Sequence, residues 1–253
     1  MRKRLIPVLL LDRNRRLVKT VAFGERTYVG DPFNVLRLFN DKEVDEICVL
    51  DIDATVDGRE PDFGFLRELA SECFMPLAYG GGLRRIEQCE QLSRNGVEKF
   101  VLGASATDPD FVRSLSRDIG SQAVVACVDV RGRDANAQCF TQSAKHDIRL
   151  APINHCRKLQ DLGVGEIILQ SVDLDGARTG YDLELIHTIS SQLTVPLVAL
   201  GGAGEYNHLT DALRAGASAA ASGSTFVFIG RLRAVLVNYP EPTQMNRIAQ
   251  EVA

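Results

Sequence analysis

Two stretches of this chain, MPLAYGGGL at residues 75–83 and VPLVALGGA at residues 195–203, are versions of one segment. They align at a shift of 120 positions, because Pro76 then falls on Pro196 (196 minus 76). The same shift places Gly81 on Gly201, Gly82 on Gly202, Gly96 on Gly216, Gly103 on Gly223 and Asp53 on Asp173. Self-similarity at one period indicates a fold built from repeated units. We therefore expect two similar halves, at about 1–120 and 121–240, in a single domain spanning 1–253, with 241–253 as a C-terminal extension.

Short apolar runs rich in β-branched residues alternate with amphipathic stretches of helical length, which is typical of parallel strands joined by crossover helices. We predict strands at 5–11, 46–51, 76–79, 99–103, 123–129, 166–171, 196–200 and 218–222. We predict helices at 32–41, 61–73, 84–95, 109–119, 151–162, 182–192, 206–215 and 228–237. This α/β pattern fits a (β/α)8 TIM barrel made of two half-barrels. An open doubly wound sheet is the alternative.

The composition argues against several classes of function. A net charge of −4 on 253 residues gives no basic surface for nucleic acid. No apolar run reaches the ~18 residues of a membrane span, and the N terminus lacks the pattern of a signal peptide, so we expect a cytoplasmic protein. Six cysteines without a C-x-x-C pair and four histidines without ligand spacing predict reduced packing residues. We therefore expect no metal, no disulfide and no cofactor.

The functional residues of such barrels lie on loops that follow the carboxyl ends of the strands. Polar residues and glycines of this chain are concentrated there. They are Asp51 and Asp53 after the second strand, Gly80, Gly81 and Gly82 after the third, Gly103 after the fourth, Asp129 at the fifth, Asp173 and Asp175 after the sixth, Gly201, Gly202 and Gly204 after the seventh, and Gly223 and Ser224 after the eighth. The sequence predicts one functional face.

Two glycine-rich regions of this face are candidate phosphate sites. A glycine turn ahead of a helix brings backbone N–H groups and the helix dipole close to a phosphate. The seventh and eighth loops form the usual phosphate site of barrels, which predicts a cradle at Gly202, Ala203, Gly223 and Ser224. The repeat predicts a second cradle at Gly81, Gly82, Gly103 and Ala104, and so an elongated ligand with a phosphate at each end. Alternatively, these glycines only form tight turns.

Five aspartates lie between the two cradles: Asp51, Asp53, Asp129, Asp173 and Asp175. A carboxylate acts as a general acid or base when burial or neighbouring charges shift its pKa. Any of them could instead cap a helix or hold a loop. For Asp129 we favour a catalytic role.

Stretches over nearly the whole chain resemble the cyclase subunit of imidazole glycerol phosphate synthase, a two-fold-symmetric barrel of histidine biosynthesis. They are KRLIP, LVKTVAF, GDP, VDEICVLDIDAT, YGGGL, GSQAVVACVDV, GEIILQSVDLDGARTGYD and LVALGGAG. The resemblance implies a lyase that closes an imidazole ring with ammonia, which a glutaminase partner in a heterodimer makes and which passes through the barrel. It also implies a substrate with two phosphates, contacts from Lys19, Asp51, Asp173 and Asp175, and a ring of charges at the barrel entrance on Arg4, Glu46, Lys99 and Glu166. That ring could equally be a stabilising ion network.

The chain departs from the family pattern at the first of two catalytic aspartates. The second is Asp129, but Leu10 stands at the place of the first. A leucine side chain cannot transfer a proton. Asp12 lies two residues further on, so the strand pleat predicts the same direction about 6–7 Å along the strand. We take Asp12 as the candidate substitute.

The segments IPVLLL and CFMPLAYGGG more closely resemble a paralogous branch of the family. That branch is linked to acetamidino modification of bacterial surface sugars such as O-antigen. There the barrel pairs with a glutaminase and supplies ammonia to a sugar amidotransferase. The first hypothesis is therefore an ammonia-handling subunit for sugar amidination. The others are a histidine-pathway cyclase in which Asp12 or a shifted loop substitutes for the missing aspartate, and a non-catalytic scaffold.

Overall fold

The computed structural model describes residues 3–133, 136–230 and 234–252. Within these ranges eight parallel strands form a barrel: β1 Arg4–Leu11, β2 Ile47–Asp51, β3 Leu77–Gly80, β4 Lys99–Leu102, β5 Val124–Arg131, β6 Glu166–Ser171, β7 Leu197–Leu200 and β8 Ala219–Ser222. The α-helices of the same ranges are α1 Pro32–Asp41, α2 Phe63–Ser71, α3 Ile86–Arg94, α4 Pro109–Ile119, α5 Pro152–Asp161, α6 Leu183–Ser190, α7 Tyr206–Arg214 and α8 Pro242–Glu251. The predicted strands are confirmed.

The sheet closes on itself. Strand β1 pairs in parallel with β8, where Arg4 faces Ala219, and with β2, where Val8 faces Cys48. The circle continues through β3, β4 and β5, and β5 pairs with β6, so no strand of the barrel has a free edge. Closure confirms the TIM barrel and contradicts the open doubly wound sheet.

Side chains alternate between two apolar layers along each strand. On β1, Ile6 and Val8 point into the barrel, whereas Leu5 and Leu9 pack beneath the helices. The alternation follows from the two-residue period of a strand. Small and β-branched residues fill the inside: Ile6, Val8, Cys48, Ala78, Val101, Val125, Ile168, Val198, Leu200, Ala219 and Ala221. The barrel axis is therefore apolar for most of its length.

Two of the helix starts follow directly from Asp-Pro pairs. The Asp31 carboxylate accepts a hydrogen bond from the Asn34 backbone N–H at 3.0 Å, and Pro32 occupies the first turn of α1. Asp108 caps α4 in the same way ahead of Pro109. Both elements begin where an N-cap and a proline predict.

The predicted helix at 228–237 is wrong. Phe228–Ile229 pairs antiparallel with Ala234–Val235, and residues 231–233 lie outside the described residues. The pairing extends beyond these short strands, because the Leu236 N–H donates to the Val227 carbonyl at 2.8 Å. The last helix, α8, instead begins at Pro242 and occupies most of the expected extension.

Short antiparallel strands lie at the carboxyl ends of the barrel strands. Leu17–Lys19 pairs with β1 and with Thr27–Gly30, and Gln138–Thr141 pairs with β5. These hairpins extend the barrel wall above the first and fifth strands. None of the helices in the described ranges has both the length and the apolar character that crossing a membrane requires.

Candidate functional site

A cavity of about 220 Å³ opens at the carboxyl ends of the barrel strands. Apolar side chains form its floor: Val8, Leu10, Leu50, Val101 and Leu200. The predicted residues on its wall are Lys19, Asp51, Gly81, Gly103, Ala104, Asp129, Asp175, Gly223 and Ser224. The structure thus gathers residues from seven loops or strand ends into one site.

Asp129 lies on β5 at the centre of this wall, opposite Phe140 of the loop hairpin. Burial, together with the nearby charge of Asp175, raises the pKa of its carboxyl to about 7. The Cys127 thiol, with its sulfur 3.7 Å from Asp129 Oδ1, acts in the opposite direction. A carboxyl with a pKa near neutral can exchange a proton with a ligand at physiological pH.

Lys19 and Asp175 form a second polar group of the cavity. The buried Lys19 ammonium donates to the Val8 carbonyl at 2.6 Å. Burial lowers its pKa to about 8, against the opposing effect of Asp175. The Asp175 carboxylate accepts hydrogen bonds from Thr20 Oγ1 at 3.0 Å and Gln170 Nε2 at 3.3 Å. Burial nevertheless raises the pKa of Asp175.

Leu10 lines the cavity and Asp12 does not. Asp12 Oδ2 accepts hydrogen bonds from Arg16 Nε and NH2 at 3.0 and 2.8 Å. Its other oxygen, Oδ1, accepts from the backbone N–H groups of Asn14 and Arg16, both at 2.9 Å. Asp12, the predicted substitute for the missing aspartate, therefore closes the first turn of loop one. Its side chain does not take the predicted direction, because β1 ends at Leu11.

The predicted phosphate residues divide into two groups. Gly81, Gly103, Ala104, Gly223 and Ser224 line the cavity, whereas Gly82, Gly202 and Ala203 are outside its wall. Tight packing accounts for several of these glycines. A Cβ on Gly81 would lie 2.6 Å from the Asp51 carbonyl oxygen, and one on Gly201 would lie 2.3 Å from that of Ser171, 120 positions on. This equivalence reproduces the sequence repeat in three dimensions and supports the tight-turn alternative for these turns.

The remaining predicted aspartates hold loops. Asp51 lines the cavity and accepts hydrogen bonds from the Ala54 N–H at 2.9 Å and from Arg59 at 3.2 Å. The buried Asp53 accepts two hydrogen bonds from Arg26, both at 2.6 Å. The Asp173 carboxylate accepts from the Gly132 N–H at 2.9 Å and is absent from the cavity wall.

The four predicted entrance charges form a ring at the amino ends of the strands. Lys99 Nζ lies 2.8 Å from a carboxylate oxygen of Glu46 and 2.8 Å from one of Glu166. Arg4 makes an ion pair with the same two glutamates. Charges of opposite sign therefore alternate around the barrel axis. The glutamate side chains are 6–7% exposed and the two cations 19–20%, so the ring closes the end of the barrel.

A small apolar chamber of about 10 Å³ lies directly behind this ring. Glu46 and Glu166 form its outer wall, and Ile6, Cys48 and Ala78 are among its inner residues. Val8 and Val101 line both this chamber and the large cavity. The two spaces therefore adjoin at these two apolar side chains.

Several site residues were not singled out from the sequence. Arg26, Thr20 and Gln170 line the cavity and hold Asp53 or Asp175 in place. Thr20 and Gln170 lie beside Lys19 and the strand-six motif, so their position was a usable signal. Arg26 lies in an irregular loop with no motif, and only the folded loop brings it to Asp53.

The fold and the site define a (β/α)8 barrel that carries an acidic and glycine-lined cavity at the carboxyl ends of its strands. Residues 4–232 match the family described as histidine biosynthesis protein, and the chain belongs to this family. A Pseudomonas aeruginosa protein with the provisional name imidazole glycerol phosphate synthase subunit hisF2 is 44% identical over 97% of this chain and 98% of its own. A Vibrio vulnificus protein provisionally named subunit hisF3 is 41% identical over 98% and 96% of the two chains. A Leptospira borgpetersenii protein provisionally named subunit HisF is 40% identical over 96% and 97%.

Proposed function

We propose that this chain is the cyclase-like subunit of a glutamine-dependent synthase, which receives ammonia from a glutaminase partner in a heterodimer. Its ammonia serves the amidination of a bacterial surface-polysaccharide sugar by an amidotransferase. One observation carries the proposal: the entrance ring of charges is complete, while Leu10 stands in the cavity where the family pattern has an aspartate.

The end of the barrel at the amino ends of the strands supports the ammonia route. The ring of Arg4, Glu46, Lys99 and Glu166 leads to an apolar chamber and then to the cavity floor. Neutral ammonia can cross an apolar interior, whereas an ammonium ion would lose its hydration there at high cost. The ring is thus placed to admit a neutral molecule into the axis once its ion pairs rearrange.

The amino-terminal face also offers an anchor for the glutaminase. Phe74 precedes β3 on the face that carries the ring, and 84% of its surface is exposed. Asn40 holds this loop on both sides, because its side chain accepts from the Phe74 N–H at 3.2 Å and donates to the Glu72 carbonyl at 2.7 Å. An exposed aromatic side chain on a loop whose backbone is held in place is typical of protein interfaces.

The opposite end of the barrel, at the carboxyl ends of the strands, supports a reaction other than ring closure. The family resemblance implies two catalytic aspartates, of which this site has Asp129 alone, since Asp12 is bound to Arg16 outside the cavity. Asp129, Lys19 and Asp175 are the proposed polar contacts of the bound ligand. The segments IPVLLL and CFMPLAYGGG support the assignment to sugar amidination. Six free cysteine thiols support a reducing, cytoplasmic setting.

The test is to mix the purified barrel with the glutaminase subunit encoded in the same organism. Native mass spectrometry measures the complex, and glutamate release measures glutaminase activity. We expect a one-to-one complex and a rate of glutamine hydrolysis that rises with barrel concentration until the glutaminase is saturated. A glutaminase whose activity is unchanged at excess barrel would contradict the proposal.

A histidine-pathway cyclase is the second candidate, because Asp129 has a pKa of about 7 in a cavity lined by the predicted glycines. The relatives' provisional names also favour it. This candidate requires the gene to restore histidine-independent growth to a strain that lacks the cyclase. We expect no growth without histidine, whereas the same strain with a histidine-pathway cyclase grows.

A further inference from the structure

We infer that the ligand of the cavity carries a single phosphate group, bound at the loop after β8, and that its other end, at the loops after β3 and β4, is uncharged. The inference rests on the proposed function, since it takes this cavity as the site of the ammonia acceptor. It departs from the pair of phosphates that the sequence repeat predicts.

The two halves of the barrel differ in hydroxyl groups at the proposed cradles. At the 120-residue shift, Ser222 corresponds to Leu102, and Ser224 corresponds to Ala104. Ser222 Oγ accepts hydrogen bonds from the N–H groups of Ser224 at 3.2 Å and Thr225 at 3.0 Å. These bonds fix the turn after β8. The leucine and alanine of the other half cannot make side-chain hydrogen bonds, so its turn lacks both this brace and the Ser224 hydroxyl.

The two ends of the cavity also differ in available positive charge. In the cavity wall formed by described residues, the basic side chains are Lys19 and Arg26. Lys19 Nζ lies 3.0 Å from the position that a Cβ of Gly223 would occupy, so the ammonium adjoins the β8 turn. It bonds one carbonyl oxygen, that of Val8, which leaves two of its three N–H donors for a ligand.

Arg26 is committed to a carboxylate. Its guanidinium makes both hydrogen bonds to Asp53 at 2.6 Å. Asp51, also on this side of the wall, is matched by Arg59 at 3.2 Å. Within the described cavity wall, a phosphate at this end would meet the Asp51 carboxylate and no cation other than the paired Arg26. The hydroxyl groups of a neutral sugar or polyol would find acceptors there, and the Cβ position of Gly103 has no atom within 4 Å, which leaves space for them.

The test uses isothermal titration calorimetry to measure phosphate binding to the whole barrel without a glutaminase. Inorganic phosphate, at up to about 20 mM, gives the stoichiometry. Fructose 6-phosphate and fructose 1,6-bisphosphate then form a pair that differs by one phosphate. We expect one phosphate per barrel and affinities for the two sugars that agree within about threefold.

Variants locate the phosphate. Ser224→Ala and Lys19→Met each weaken its binding about tenfold, because each removes a donor to the anion. Ser105→Ala, at the repeat position of Thr225, leaves the affinity within about twofold of the parent protein. Circular dichroism and the melting temperature identify any variant that fails to fold. Lys19→Arg keeps the positive charge, so it retains the phosphate binding that Lys19→Met loses.

Two phosphates per barrel, a bisphosphate bound at least about tenfold more tightly, or no phosphate binding at all would overturn the inference. None of these results depends on the glutaminase. Loss of glutaminase stimulation would contradict the proposed function and leave the stoichiometry standing, so the two failures are distinguishable.

Discussion

Leu10 and Asp12 stand two residues apart at the end of β1, yet Leu10 faces the cavity and Asp12 is bound to Arg16 outside it. The strand ends at Leu11, and the Asp12 N–H donates to the Arg16 carbonyl at 3.0 Å to form a turn. The pleat that would direct Asp12 into the cavity has ended before it. The cavity therefore has an apolar side chain where the resemblance to the cyclase places its first catalytic aspartate.

The first prediction concerns stability and Asp12. Burial raises the pKa of Asp12, but hydrogen bonds from Arg16 and from the backbone outweigh it, so the pKa is lowered overall. Asp12→Asn should reduce the free energy of unfolding by about 1–2 kcal/mol at pH 7. A lowered pKa stabilises the fold above the unfolded value of about 4, and this contribution is lost as pH falls through the folded value. Urea unfolding at pH 7 and pH 3 measures both effects.

Asn14→Ala is the matched control for Asp12→Asn. This substitution keeps the backbone N–H that donates a hydrogen bond to Asp12 at 2.9 Å, so it should change the free energy of unfolding by less than about 0.5 kcal/mol. A phosphate affinity that fell in Asp12→Asn but not in Asn14→Ala would place Asp12 in the ligand site and contradict the assignment.

The second prediction concerns Asp129, whose folded pKa of about 7 lies above the unfolded value. Between pH of about 4 and 7 the folded state binds more protons than the unfolded chain, so stability falls as pH rises. Asp129→Asn removes this dependence and should be the more stable protein at pH 8, by on the order of 2 kcal/mol. Unfolding at pH 5 and pH 8 tests this, and carbon NMR of the side-chain carboxyl gives the titration directly. A carboxyl that titrates near pH 4 would refute it.

The third prediction concerns the entrance ring. Lys99→Met leaves Glu46 and Glu166, both nearly buried, to share Arg4 alone, and should cost about 1–3 kcal/mol of stability. Adding Glu166→Gln should restore part of that loss, because one of the two carboxylates is then neutral. Arg94→Met, which removes an exposed pair with Glu90 at 3.4 Å, should cost less than about 0.5 kcal/mol. Equal losses in Lys99→Met and Arg94→Met would show that the ring is not a coupled network.

The fourth prediction concerns Phe74. Phe74→Ser should leave stability unchanged within about 0.5 kcal/mol, since 84% of the side chain is exposed. It should weaken the complex with the glutaminase about tenfold, measured by titrating glutaminase activity with the barrel. Val56→Ser, an exposed residue in the loop after β2 at the opposite end of the barrel, serves as the control. An equal effect of both substitutions would rule out the amino-terminal face as the docking surface.

The sequence specified the barrel strands well because each is a short apolar run bounded by glycine, proline or a charge. The period of 120 residues also predicts that the glycines at the carboxyl ends lie in equivalent positions. Gly81 packs on the Asp51 backbone, and Gly201 packs on the Ser171 backbone in the same way. The helix expected at 228–237 is wrong because Phe228 pairs with Val235 in antiparallel strands, and a short segment of mixed apolar and charged residues suits either structure.

The site was predictable where it depends on strand ends and less so where it depends on loops. Asp129 and Lys19 reach the cavity from within regular strands, and Ser224 reaches it from the turn that Ser222 holds after β8. Asp12 and Asp173 do not, since turns redirect their carboxylates to Arg16 and to the Gly132 N–H. Such turns depend on contacts within a loop, as at Asp12, or between loops, as at Asp173, and these contacts have no periodicity in the sequence.

We propose that this barrel keeps the ammonia entrance but does not close the imidazole ring. The most direct measurement is turnover of the histidine-pathway bisphosphate substrate by the purified barrel at high ammonium concentration, followed by loss of substrate absorbance, beside an Asp129→Asn variant. Free ammonium removes any need for the glutaminase. We expect both proteins to show the same background rate, at least about a thousandfold below that of a histidine-pathway cyclase. Turnover by the parent protein that Asp129→Asn abolishes would contradict it.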